Sequence, residues 1–193
     1  MFLLFLILFS IPFKVVHEEP VVNVSRETIQ QPIQQPIQPT KQEVTREEPK
    51  VSRGRVYELP PVSGEFKTYM DYRTITDTSS KQYKLQQQAI TNEIGIREIN
   101  GRLMVAMGTY YVEKVGKKFD ITLSTGEVIP VIVGDIKSDL HTDPTNRYIQ
   151  HNGNIVEFIV NEDILDRKIK LTGSLNHGKL KGQVTKIQEV LEG

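Results

Sequence analysis

The loop at 135–154 holds the residues best suited to chemistry. Asp135, Asp139, His141 and Asp143 fall within nine positions, and Glu157 follows on the next apolar run. Two carboxyl groups can divide acid and base work if their surroundings push their pKa values apart. Asp135 follows Ile132-Val133-Gly134 at a predicted strand end, a setting that favours the protonated acid. Glu157 alternates with Val156 and Phe158, so it faces the opposite side of the sheet from them. If Glu157 points toward Asp135, each charge opposes the other and one pKa rises. The simpler readings are that Asp135 caps a turn and that Glu157 is a solvent-facing strand residue. Asp139, His141 and Asp143 alternate as D-x-H-x-D, which in an extended segment would put all three on one side, as a hard-cation or zinc site would need. A polar loop of this composition is more often simply solvated, and no metal or other cofactor is assigned. Lys137, Asp139, His141, Asp143 and Tyr148 are the candidate substrate contacts. Tyr110 and Tyr111 share with Tyr148 the capacity to stack on a sugar ring or to pack a rim. His151 and His177 adjoin turn residues and read as surface groups.

These residues need a rigid scaffold, and the second half of the chain supplies one. Short β-rich runs recur at 66–76, 94–99, 102–107, 118–124, 127–134, 154–161, 168–175 and 181–192. Asn100-Gly101 is a hairpin signal; Thr125-Gly126, Asn152-Gly153 and His177-Gly178 mark further turns. Asp77, Ser79 or Ser80 can cap one short helix over about 80–90. Many short strands, glycine turns and one helix predict a mainly β domain over 64–193, closed as a barrel of six or more strands.

The chain before it differs in kind. Residues 1–16 begin with the apolar run MFLLFLILFSIPF, shorter than the roughly 20 apolar residues of a spanning helix. It reads as the core of a signal peptide or as part of a signal-anchor, although no Lys or Arg precedes it and no small-x-small cleavage site follows. The other reading is a buried core segment, which the polar, proline-rich sequence that follows disfavours. Residues 17–63 contain QQPIQQPIQPTKQ and read as a disordered Pro/Gln-rich linker, extended at about 3 Å per residue and spanning on the order of 100 Å. The expected location is therefore outside the cytoplasmic membrane, with the domain secreted or anchored through its N-terminal segment. Charge is balanced, 24 basic residues against 24 acidic, without the basic stripe of a nucleic-acid binder. There is no cysteine, which excludes disulfides and thiolate zinc sites. The sequence holds no P-loop, dinucleotide glycine fingerprint, Gly-x-Ser-x-Gly elbow or metalloprotease helix.

Residues 101–158 resemble the double-psi β-barrel group, which includes rare-lipoprotein-A-like domains, expansins and the barrel of the membrane-bound lytic transglycosylase A family with its "3D" domain. Leu103-Met104-Val105-Ala106-Met107-Gly108 is similar to the group's "VAL-G" strand. Lys118-Phe119-Asp120-Ile121 and Val131-Ile132-Val133 are similar to its paired psi strands. Gly134-Asp135, followed by Lys137, resembles the start of the "DTGGAIKG" loop, and Val156-Glu157-Phe158 the "IDLY" strand with Glu in place of Asp. The Gly-Gly pair is replaced by Ile136-Lys137, and Met107-Gly108 stand where an acid often follows the "VA" strand. The resemblance implies a six-stranded double-psi-like barrel, a partner in peptidoglycan or another wall glycan, and acid catalysis of glycan cleavage through Asp135 with Glu157. The alternatives are a non-catalytic module that binds glycan or protein at the cell surface, and a structural part of a phage or conjugation complex in the envelope.

Overall fold

The computed structural model describes residues 52–191, and the apolar segment 1–16 and most of the linker lie outside them. The fold is mainly β, with two short α-helices. In chain order its elements are β1 (Ser52–Tyr57), β2 (Tyr69–Asp71), α1 (Lys81–Gln86), β3 (Ile90–Thr91), β4 (Arg97–Ile99), β5 (Arg102–Met107), β6 (Lys118–Leu123), β7 (Val128–Ile136), β8 (Glu157–Val160), α2 (Arg167–Thr172) and β9 (Val184–Leu191). The strands form one nine-stranded sheet in the order β1-β9-β6-β7-β5-β4-β3, with β8 on β5 and β2 on β8. The path does not return on itself, so the sheet is open where the sequence predicts closure into a barrel. None of the described helices is long and apolar enough to cross a membrane.

Local sequence explains most of the elements. Asn100 and Gly101 both have positive φ, 50° and 73°, the backbone a two-residue β4–β5 hairpin needs. In β6 burial alternates strictly, with Phe119, Ile121 and Leu123 inward. Those three join Val105, Met107, Val131, Val133, Phe158, Val160 and Ile187 in the main core. Full burial of each large apolar side chain contributes about 1.5–3 kcal/mol. A smaller core of Met104, Ile132 and Ile159 lies on the opposite face, with Leu85 and Ala89 from the α1 region packed on it. Ser80 caps α1, its hydroxyl accepting from the Tyr83 N–H at 3.0 Å.

Four expectations change. Residues 52–57, read as linker, form β1, which pairs antiparallel with β9. Tyr57 anchors it, its ring 5.8 Å from that of Phe119 and 5.6 Å from that of Tyr111. The strand expected over 66–76 is only three residues of β2. Asp71 then accepts from the Arg73 N–H and guanidinium, and the chain turns into a short 3-10 segment. The run 168–175 is not a strand but α2. Asp166 caps its start, and Gly173, with φ 65°, ends it in the left-handed conformation. The strand expected over 154–161 is shortened to 157–160, because Asn154 bridges back to Ile149.

Candidate functional site

A one-residue irregularity in the sheet sets the site. Along β5 and β7, Val105 pairs with Val133 but Ala106 pairs with Asp135, so Gly134 is an extra residue in a bulge. Simple alternation would turn Asp135 toward the main core with Val133; the bulge turns it to the other face. Gly134 lets the strand pack closely there: a Cβ would lie 2.6 Å from Met104 Cε and 2.8 Å from Ile159 Cδ1, so those side-chain tips would have to move. Ala106 also pairs with Glu157 of β8. Asp135, Ala106 and Glu157 therefore form one row across three strands, on one face, with only a methyl group between the two acids. Neighbouring strands lie about 4.8 Å apart, so the Cα atoms of the two acids are roughly 10 Å apart.

The two acids have different surroundings. Asp135 is half-buried, and its carboxyl is raised above its ordinary value by burial, against hydrogen bonds from the Ile136 N–H and the Gln82 side chain of α1. Glu157 is not among the causes, so the mutual repulsion expected from sequence is not what raises Asp135. Glu157 instead accepts from the Thr68 hydroxyl at 3.2 Å, and Thr68 in turn accepts from the Asn154 side-chain amide. Asn154 is fully buried, and its amide oxygen has no hydrogen-bond partner.

Lys137, expected to touch substrate, is 6% exposed. Its ammonium donates to the Asn154 carbonyl at 3.2 Å. Burial lowers its pKa to about 8, and the nearby Glu157 charge acts against that. Lys137 is thus tied to the 154 turn and feels the Glu157 charge.

Within the rest of the loop, Asp143 serves the fold. Asp143 is 4% exposed, and its carboxylate accepts from the N–H groups of Thr145 at 2.9 Å, Arg147 at 2.7 Å and Tyr148 at 3.0 Å, and from the Thr145 hydroxyl. Burial pushes its pKa up, but these donors outweigh it and hold the carboxyl at about 2. Tyr148 is partly buried against the main core rather than presented to a ligand. Asp139 and His141 are exposed, and Asp139 accepts from the Thr109 hydroxyl at 2.7 Å. The His141 N–H bonds the Ser138 carbonyl at 2.9 Å, so the segment turns and does not hold Asp139, His141 and Asp143 on one side. Among the described residues no group of three or more His, Asp or Glu could hold a metal ion. The loop folds back over the end of β5, where a Cβ on Gly108 would lie 2.0 Å from the Asn146 carbonyl oxygen.

Thr68, Gln82 and Asn154 were not apparent as site residues from the sequence. Thr68 lies within an alternating run and Asn154 just after Asn152-Gly153, but only tertiary structure joins them to Glu157. Comparison with known proteins gives no match: no family model, no curated protein and no solved structure is similar to the chain.

Proposed function

We propose that this domain cleaves glycan strands of the cell wall by acid catalysis, with Asp135 as the acid and Glu157 as its companion carboxylate. One observation carries the reading: a half-buried carboxyl, its pKa raised by burial, shares a sheet face with a second carboxylate across a single alanine. In the reaction, the Asp135 proton passes to the glycosidic oxygen as the bond from that oxygen to C1 breaks. The sugar's own 6-hydroxyl then bonds to C1, and its proton returns to the Asp135 carboxylate. No water is consumed, and the product carries a 1,6-anhydro ring. Glu157, oriented by Thr68, would position the 6-hydroxyl and stabilise the positive charge that develops at C1.

The double-psi barrel relationship belongs to the same proposal. The parallel β5–β7 and β2–β8 pairs and the acid at the end of β7 support it. Export through residues 1–16 would bring the domain to peptidoglycan. A second reading, a glycan-binding module without catalysis, draws on the engagement of Glu157 by Thr68 and on the burial of Lys137 beside it. Digestion of purified peptidoglycan by the full chain, with mass spectrometry of the soluble products, separates the two. Anhydro-muropeptides that disappear in Asp135→Asn support the enzyme. Pelleting with the wall without product release supports the module.

A further inference from the structure

A separate cleft of about 490 Å³ lies where the 63–66 segment meets the 172–177 turn. Its lining includes Glu65, Phe66, Asn152, Thr172, Asn176 and His177. Phe66 is 37% exposed, a large apolar ring facing an otherwise polar wall. Several of the polar groups are already held in place. The Asn176 side-chain oxygen accepts from the Gly182 N–H at 2.8 Å, and its amide donates to Glu65 at 3.0 Å. The Thr172 hydroxyl and the His177 ring are 3.1 Å apart. The segment beneath is fixed by Lys67, 2% exposed, whose ammonium donates to the Gly182 carbonyl at 2.5 Å and to the Glu65 carbonyl at 3.2 Å.

This chemistry selects one class of ligand. Side-chain amides, a hydroxyl and an imidazole both donate and accept, as sugar hydroxyls and acetamido groups do. An aromatic ring offers an apolar surface to the C–H face of a pyranose. No Lys or Arg lines the cleft and its fixed charge is the Glu65 carboxylate, which disfavours phosphate and other anions. The cleft also adjoins the carboxylate row through two chain segments. Phe66 stands two residues before Thr68, and Asn152 two before Asn154.

We infer that this cleft is a saccharide subsite for a neutral N-acetylated sugar, linked to the Asp135–Glu157 row through the 66–68 and 152–154 segments. It deepens the glycan reading above and rests on it for the direction of the chain, but its test is independent of cleavage. The full chain, as wild type and as Asp135→Asn, is titrated with tetra-N-acetylchitotetraose by calorimetry. Both should bind, Phe66→Ala should weaken binding about tenfold, and His177→Ala by a few-fold, with circular dichroism unchanged. Equal binding by Phe66→Ala and wild type, or no binding by wild type, would overturn the subsite. Phe66-dependent binding without any cleavage of peptidoglycan would keep the subsite and remove the enzyme. Cleavage lost in Asp135→Asn, with binding indifferent to Phe66, would keep the enzyme and remove the subsite.

Discussion

Asp135 lies near the end of β7 and Asp143 in the loop that follows, and their surroundings are opposite. Asp143 is saturated by three backbone N–H groups and a hydroxyl, which hold its carboxyl at about 2. Asp135 receives few donors for its burial, and its pKa rises. A carboxylate surrounded by backbone donors is a fastener, because its charge is spent on orphan N–H groups that would otherwise be left unpaired. A carboxyl short of donors in a partly apolar place holds its proton to higher pH, the direction a general acid needs. The same residue type, a few positions apart, thus divides into a residue for the fold and, on the proposed reading, a residue for chemistry.

The largest effect that could break this contrast is on activity. Asp135→Asn should lower product release from peptidoglycan by about 10³-fold, within the range of general acid catalysis, while urea unfolding changes by less than about 1 kcal/mol. A strongly destabilised Asp135→Asn protein would make Asp135 a fastener as well. Next in size, Asp143→Ala should cost about 3 kcal/mol or more in urea unfolding, since several N–H groups lose their acceptor at once. If its stability matches wild type, the loop is not held by Asp143.

Some of this was legible in sequence and some was not. Alternation in VEFIV put Glu157 opposite Val156 and Phe158, and the structure keeps that arrangement. The Asn100-Gly101 hairpin and the strand pair around it could be read because turn chemistry is local. The Gly134 bulge could not. The side chains next to position 134, Met104 and Ile159, come from other strands, so the local sequence does not show the shift in register. β1 was hidden by its position after the Pro/Gln-rich stretch, since its pairing with β9 spans nearly the whole domain. K-I-K-L alternates as a strand does, while the helix signals of α2, Asp166 and Gly173, sit only at its ends. Asp143 drew notice as an acid, but its partners are backbone groups that no composition reveals.

Smaller effects sharpen the contrast. Gly108→Ala drives a Cβ into the Asn146 carbonyl, so the loop must shift even with Asp143 intact; a loss of about 1–3 kcal/mol is expected in thermal or urea unfolding. An unchanged stability would show that the loop does not press on β5. The pH dependence has opposite signs for the two acids. Asp143 titrates near 2 when folded and near 3.8 when unfolded, so its contribution is present above 3.8 and lost as pH falls toward 2. Asp135, raised when folded, favours the folded state below 3.8, and that contribution is lost as pH rises through its folded value. Urea unfolding from pH 2 to 7 should therefore show the acid-side loss reduced in Asp143→Asn and the opposite slope reduced in Asp135→Asn.

The most direct test is a ¹³C-carboxyl NMR titration of the aspartates in the full chain, with Asp135→Asn and Asp143→Asn used to assign the two signals. Asp143 should titrate at about 2 and Asp135 above the ordinary 3.8. Two coincident titrations, or an Asp135 below Asp143, would contradict the division of the loop into one aspartate for structure and one for chemistry.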